Sequence, residues 1–507
     1  MNAPISPLVL AAVVQGPTAV DRVARRAEVV AALTPLLPAH ALLWQDEDTV
    51  PYECDGLTAY RELPLAVALP ETEAQLSTVL ATCHRLGVPV VARGAGTGLS
   101  GGATPHALGV TLSLAKFNKI LKIDPVSRTA VVQSGVRNAA ISEAAARYGL
   151  YYAPDPSSKI ACTIGGNVAE NSGGMHCLKY GLTIHNVLRV RGYTVEGEAV
   201  EFGSEALDVA GLDLLAVVIG SEGMLAVTVE VTVRLVPKPQ LARAILASFD
   251  DVRKAGHAVA ALIGAGIIPA ALEMMDKPMT ACVDAYVHAG YDLEAAAILL
   301  CESDGTPEEV EEEIGRMVAV LGAAGATRFD ISRDEAERLK FWSGRMNAFP
   351  ASGRMSPDYM CMDSTIPRNK LAEILVRIAE MEVTYGLRCC NVFHAGDGNL
   401  HPLIMYDAND PDQLHRCEQF GADILETSVR LGGTVTGEHG VGIEKLSSMC
   451  VQFTPAEREQ MLALKRAFDP TELLNPGKVI PTLHRCAEYG KMHVRKGLLP
   501  FPDLPRF

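Results

Sequence analysis

Arg93-Gly94-Ala95-Gly96-Thr97-Gly98-Leu99-Ser100-Gly101-Gly102 follows directly on a short apolar run at residues 88–92. An apolar run of that length ending in glycine reads as a buried strand entering a turn. Five glycines and a serine let several backbone N–H groups point into one concavity, which suits a pyrophosphate. Gly96, Gly98 and Gly101 keep the G-x-G-x-x-G spacing of a dinucleotide fingerprint. That fingerprint needs a helix immediately afterwards. Here Ala103-Thr104-Pro105 follows, and then another apolar run at 109–114. A nicotinamide fold therefore fits poorly, and a plain structural turn is the competing reading.

The downstream sequence argues against a turn alone. Ala153-Pro154-Asp155-Pro156-Ser157-Ser158 is a stiff turn with polar tips. It is followed by Thr163-Ile164-Gly165-Gly166-Asn167-Val168-Ala169-Glu170-Asn171-Ser172-Gly173-Gly174, and later by Gly220-Ser221-Glu222-Gly223. Small residues allow close approach, and Asn, Ser and Thr supply neutral hydrogen bonds. One large, flat cofactor lying against backbone accounts for all four segments together.

Around these loops the pattern alternates helix and strand. Residues 20–37 read as an amphipathic helix with Val20, Val23, Val29, Val30 and Leu33 apolar, and 72–86 as a second helix. Strands are expected at 109–114 and 129–133, and a helix at 138–148 stopped by Gly149. At 225–236, Leu225, Val227, Val229, Val231, Val233 and Leu235 alternate with Thr228, Glu230, Thr232 and Arg234, so one face of a long strand is buried. Pro237-Lys238-Pro239 is a stiff connector. Beyond it come a helix at 307–321, strands at 388–394 and 400–406, and a helix at 455–468. The expectation is an α+β protein of two lobes split near residue 238. It divides into a helical segment (1–50), a cofactor domain (51–238), a substrate or cap domain with an antiparallel sheet (239–430) and a closing segment (431–507).

The second lobe carries His394-Ala395-Gly396-Asp397-Gly398-Asn399-Leu400-His401. Two strands around a Gly-Asp-Gly-Asn turn form a hairpin, and directly opposed residues lie about 5 Å apart at Cα. His394 and His401 thus offer two ligands to one metal. The Gly-flanked pair in Gly437-Glu438-His439-Gly440 is the best source of a third. Hydrogen-bonded structural histidines are the competing reading, and the cluster taken alone also fits a metal hydrolase. Arg345, in Phe341-Trp342-Ser343-Gly344-Arg345, is either a solvated helix arginine or a bidentate grip on a carboxylate.

These segments, in this order and spacing, resemble the FAD domain of the vanillyl-alcohol-oxidase flavoprotein family. Within it the chain is similar to glycolate oxidase catalytic subunits and to FAD-linked D-lactate and D-2-hydroxyglutarate dehydrogenases, over roughly residues 50–480. The resemblance implies a two-subdomain FAD-binding domain with Arg93, Gly94, Ala95, Gly96, Thr97, Gly98, Ser100 and Gly101 around the pyrophosphate. It places Pro154, Asp155, Ser157, Ser158, Thr163, Gly165, Gly166, Asn167, Asn171, Gly173, Gly174, Tyr180, Gly181, Glu222 and Gly223 along the rest of FAD. Asn475, in Asn475-Pro476-Gly477-Lys478, returns the chain to the flavin. Some relatives attach FAD covalently through a histidine where this chain has Thr97, so non-covalent FAD is implied. So are a divalent metal such as Zn or Mn on His394, His401 and Glu438, with His439 as base and Arg345 holding the substrate carboxylate. Cys361 stands near the lysine of D-2-hydroxyglutarate dehydrogenases, which favours a small monocarboxylate, glycolate first. The expected reaction takes a 2-hydroxy acid to the 2-oxo acid with hydride passing to flavin N5. A flavin-binding subunit without catalysis would not keep the second-lobe histidines.

Bulk properties agree. The chain has 507 residues, 48% apolar and 21% charged, and a net charge of −15. That charge argues against a nucleic-acid surface and means an anionic substrate needs a local cationic pocket. The twelve cysteines form no C-x-x-C pair and no ferredoxin run. Reduced thiols and a cytoplasmic setting are expected. Electrons must then leave to a separate acceptor, for which the resemblance implies a second flavin-domain subunit and an Fe–S subunit. A homodimer, and membrane association through such partners, stay open. Residues 8–14 are apolar but no Lys or Arg precedes them, so no export signal is read, and no run reaches the length of a membrane span.

Overall fold

The computed structural model describes residues 19–206 and 211–481. The N-terminal helix Ala19–Leu33 buries Val29 and Leu33 against the first sheet, whose strand order is Leu42–Leu43, Ala66–Ala68, Val110–Ser113 and Val90–Arg93. Val23, expected on the apolar face, is 70% exposed. The helix therefore buries a narrower stripe than its composition offers. Ala66–Ala68 and Val90–Arg93 both run parallel to Val110–Ser113, and the crossover helix Glu73–Leu86 carries a full capping box. Thr72 accepts from Gln75 N–H and Gly87 stops the helix at φ 62°.

A second sheet is antiparallel, in the order Ile120–Asp124, Thr129–Gln133, Val227–Arg234, Val187–Tyr193 and Ala199–Gly203. Its central strand is the alternating segment, and Val227, Val229, Val231 and Val233 are fully buried. Residues 93–102 leave the edge strand Val90–Arg93 of the first sheet, and residues 220–223 lead into the central strand of the second. The chain later returns to the first sheet: Val90 N–H donates to Leu473 O, and Asn475 N–H to Val90 O.

Beyond Pro239 an antiparallel seven-stranded sheet forms in the order Arg328–Ile331, Leu241–Phe249, Ala297–Gly305, Ala271–Asp276, Cys389–Phe393, Pro402–Tyr406 and Asp358–Cys361. Both of its faces are covered. Helices Val252–Gly264, Pro307–Ala323, Leu371–Tyr385 and Pro411–Arg430 pack on one, and Lys277–Val287 and Glu335–Met346 on the other. The predicted helix at 307–321 and strands at 388–394 and 400–406 fall on Pro307–Ala323, Cys389–Phe393 and the pair Asn399–Leu400 with Pro402–Tyr406. The eleven cysteines among the described residues form no disulfide; Cys486 lies outside them.

The lobes are tied by ions. His176 Nδ1 lies 2.9 Å from Asp155 Oδ2, and its Nε2 lies 3.4 Å from Glu302 Oε1 in the second lobe. Arg338 and the Trp342 indole donate to the other Glu302 oxygen. Burial disfavours the imidazolium, but Asp155 and then Glu302 outweigh it and lift its pKa to about 10. That stabilisation is complete below about pH 6.5, shrinks as pH rises and is lost past about pH 10. His176→Gln should therefore lower Tm most near pH 6.5, with the deficit closing towards pH 10. A deficit that stays constant with pH contradicts the charged tie.

Candidate active site

Between the lobes lies a cavity of ≈ 420 Å³. The first lobe lines it with residues from every glycine-rich segment: Arg93, Gly94, Ala95, Gly96, Thr97 and Gly98; Ser157 and Ser158; Thr163, Gly165, Gly166 and Asn167; Glu222 and Gly223. The strand-turn at 93–102 works as close-packed backbone. Gly96 sits at φ 71° with the Arg93 guanidinium folded beneath it, and Arg93 donates to Cys54 O at 2.7 Å. Helix Ile164–Glu170 points its N-terminal turn, with Gly165 and Gly166, at the same space. Thr163 Oγ1 is buried there without a hydrogen-bond partner. Open backbone, a helix N-terminus and an orphaned hydroxyl fit a pyrophosphate-bearing cofactor.

Ten residues expected on the cofactor lie off the cavity and shape it from behind. Asp155 is spent on His176, and Gly174 packs against Asp155. Pro154 O accepts from Asn138, Tyr180 OH donates to Asp304, and Gly181 packs on His185. Asn171 caps its helix at φ 52° and accepts from Ile184 N–H. Ser100 O accepts from Ile443 and Glu444 N–H, and Gly101 abuts Ile443. A side chain on Gly173 would stand 2.5 Å from Glu438 Oε2. Asn475 donates to Gly102 O and Glu222 O, so it joins two cofactor loops rather than facing the cavity. Small or polar residue types in such loops serve either purpose, and sequence does not separate them.

From the second lobe, His401, Glu438 and His439 line the same cavity, with Met346, Phe349, Pro350 and Tyr359 as its apolar wall. The hairpin register differs from expectation. His394 bridges Asn399, and Val392 N–H donates to His401 O, so the two histidines are diagonal rather than directly opposed. The offset is two residues, which keeps them on one face. Their ring centroids are 5.0 Å apart, and His439 stacks on His401 at 4.8 Å.

His394, His401 and Glu438 each turn a ligand atom inward, all within 4.8 Å of one another. Glu273 Oε1 lies 2.8 Å from His394 Nδ1, leaving Nε2 facing Glu438 Oε1 at 3.1 Å. A carboxylate behind a histidine is how metal-binding imidazoles are oriented. Both ring nitrogens of His401 and Nδ1 of His439 are buried without a hydrogen bond. Burial would raise the Glu438 carboxyl, but His394, His401 and His439 hold it at about 2. Asp363, His401 and His439 form a second such triad. Asp363 is largely committed to its own loop: Oδ2 accepts from Thr436 Oγ1, Gly437 N–H, His439 N–H and Lys445 Nζ, and Oδ1 accepts from Glu438 N–H. The first triad is thus the one with ligand atoms to spare.

Arg345 is only 1% exposed and lies behind His394 rather than on the cavity surface. Its Nε donates to Glu273 at 2.6 Å and its Nη2 lies 3.3 Å from His394 Nδ1. The reading of a solvated helix arginine is therefore wrong. Sequence reasoning missed Glu273, Asp363 and Lys445, which orient the histidine cluster and hold the 436–440 loop. Glu273 and Asp363 are charged residues set among apolar neighbours, Lys445 follows Glu444, and only burial marks any of them.

Comparison with known proteins follows the same two lobes. Residues 64–203 match the family described as FAD binding domain, and residues 238–479 the C-terminal domain of FAD linked oxidases. The chain is 58% identical over 482 residues to the glycolate oxidase subunit GlcD of Escherichia coli (strain K12), covering 95% of this chain and 97% of that one. It is 31% identical to a D-lactate dehydrogenase of Anaerostipes hadrus, over 89% of this chain and 97% of the other. Among solved structures, p-cresol methylhydroxylase with substrate bound has a TM-score of 0.77 at 18% identity, covering 91% of this chain and 98% of that chain; this likeness concerns fold.

Proposed function

This chain belongs to the FAD-linked oxidases of the vanillyl-alcohol-oxidase flavoprotein family, and from that footing we propose that it oxidises a small 2-hydroxy acid, glycolate first, to the 2-oxo acid. The observation that carries the reading is one cavity with the glycine-rich loops on one side and His401, Glu438 and His439 on the other. The hydrolase alternative falls away, because the histidine cluster closes the end of a cavity built by an FAD binding domain. Apolar Met346, Phe349 and Tyr359 leave D-lactate, with its methyl group, as the second candidate substrate.

Bound FAD supplies the two-electron acceptor, held without a covalent bond because Thr97 offers no attachment. The chain's own residues do the rest. Burial, against the pull of Asp363 and beside His401, holds the His439 imidazole at about 4, so it is neutral and able to take the hydroxyl proton. His394, His401 and Glu438 would hold a divalent metal such as Zn or Mn, whose charge lowers the pKa of a hydroxyl beside it. Arg345, expected from sequence to grip the substrate carboxylate, stands behind His394 with Nε on Glu273 and Nη2 against the imidazole, so we assign it to positioning His394. Electrons then pass to a partner. The E. coli relative is named a subunit, and a second flavin-domain subunit and an Fe–S subunit are the acceptors we assign. Among the described residues no helix is long and apolar enough to cross a membrane.

The test is turnover with an artificial electron acceptor and a panel of glycolate, D-lactate, L-lactate and D-2-hydroxyglutarate. Glycolate or D-lactate should give the highest kcat/KM. Preference for D-2-hydroxyglutarate, or no turnover with any of them, contradicts the reading.

The FAD site has its own test. Gly166→Val should give folded but colourless protein. A Cβ there meets only Thr163 Oγ1, at 3.6 Å, so the protein itself has room for it, and the added bulk points where cofactor lies. Gly96→Val does not separate fold from cofactor, because φ 71° and Arg93 already forbid the side chain. Wild-type flavin absorbance in Gly166→Val would mean that this loop is only a turn.

A further inference from the structure

Glu170 and Glu222 meet between two glycine turns, beside the loop at 93–99. A side chain on Gly440 would run into Glu170 Oε2 and stand 2.9 Å from Glu222 Oε1. One on Gly102 would stand 2.9 Å from Glu170 Oε1 and 3.7 Å from Glu222 Oε2. Both carboxyls line the cofactor cavity. They are not equivalent. Glu222 accepts Val441 N–H at 2.7 Å on one oxygen and Gly442 N–H at 2.8 Å on the other. Glu170 Oε2 is buried and has no hydrogen-bond partner.

Two adjoining buried carboxyls do not both ionise near neutral pH. The charge settles where N–H donors already hold it, on Glu222, and the proton stays with its neighbour. Burial, then Glu222, then Asp55 push the Glu170 carboxyl well above the usual range, with Lys478 and Lys445 opposing. Those lysines are committed elsewhere. Lys445 Nζ donates to Asp363 and Gly440 O, and Lys478 Nζ to Gly102 O and Thr104 O.

We propose that Glu170, paired against Glu222, is a neutral hydrogen-bond donor to FAD. The inference rests on the FAD reading and adds a residue to it. FAD is an anion rich in acceptor atoms, so a carboxylic acid at this position attracts it and a carboxylate repels it. A neutral acid also leaves the partnerless Oε2 at a lower desolvation cost than a carboxylate would. Lys478 and Lys445 offset part of the repulsion, but burial together with Glu222 and Asp55 outweighs them.

Apoprotein titrated with FAD, followed by flavin fluorescence, tests this in wild type, Glu170→Gln and Glu170→Ala at about pH 6.5 and about pH 9. Glutamine keeps a donor and carries no charge. It should bind FAD within about 3-fold of wild type at the lower pH, and the two should diverge only where Glu170 ionises. Alanine should weaken binding about 5- to 100-fold at both. If Glu170→Gln binds FAD more than about 3-fold more tightly or more weakly than wild type at the lower pH, or alanine binds as tightly as glutamine, the donor assignment is overturned. The glutamine profile carries the test even where the alanine variant does not fold. If wild type binds no FAD at either pH, the FAD reading fails instead.

Discussion

Replacing His439 with alanine leaves FAD bound and lowers kcat by about 100- to 10,000-fold, the usual contribution of a positioned general base. His439 lines the cavity, stacks on His401, and has its backbone N–H fixed on Asp363 at 3.2 Å. A base must be unprotonated before it acts. With its pKa held at about 4, chiefly by burial, His439 is neutral through the physiological range and loses competence only as pH falls towards that value. Rapid anaerobic mixing with glycolate and D-lactate, followed by flavin bleaching, measures the step directly. Bleaching in His439→Ala at the wild-type rate would assign the base to another group.

His401→Ala and His394→Ala should each lower bound divalent metal and kcat/KM together, by about 100-fold or more, since a metal acting as a Lewis acid contributes several kcal/mol. The two variants differ in what they leave behind. His401 makes no close hydrogen bond on either ring nitrogen, so its loss removes a ligand and only the longer contacts of Nε2 with Glu438 Oε1 at 3.4 Å and Asp363 Oδ1 at 3.5 Å. His394 also separates Glu273 from Glu438, so its loss leaves two buried carboxylates facing one space. His394→Ala should therefore also lower Tm, and His401→Ala much less. Elemental analysis alongside the kinetics decides the matter. Fully active wild-type enzyme without metal would make these histidines hydrogen-bonding groups around the substrate.

The parts of this molecule that follow local rules were readable from sequence. The alternation at 225–236 marks a strand buried on one face, Pro307 followed by acidic residues marks a helix start, and Gly149 marks a stop. The strands of the seven-stranded sheet were harder. Ala297–Gly305 is buried on both faces, so it shows no alternation to distinguish it from a core helix. At the site, the His394–His401 hairpin was legible from its turn, but not its register. Antiparallel pairing about residues 394 and 399 sets the histidines diagonally, and no feature of the turn composition announces that. Asp363, Glu273, Lys445 and Glu170 were invisible for a different reason. Their function comes from partners distant in the chain, 82 positions for Lys445–Asp363 and 72 for Arg345–Glu273. Asp155 shows the converse: its polar turn looked made for a cofactor, and the fold spends it on His176.

Whether this chain uses FAD to oxidise a small 2-hydroxy acid is decided by anaerobic titration of the purified yellow protein with glycolate and with D-lactate. The account predicts that at least one of them bleaches the flavin completely, with the 2-oxo acid formed in equimolar amount to the FAD reduced. Flavin that stays oxidised with every 2-hydroxy acid supplied, in protein carrying its full complement of FAD, would contradict it.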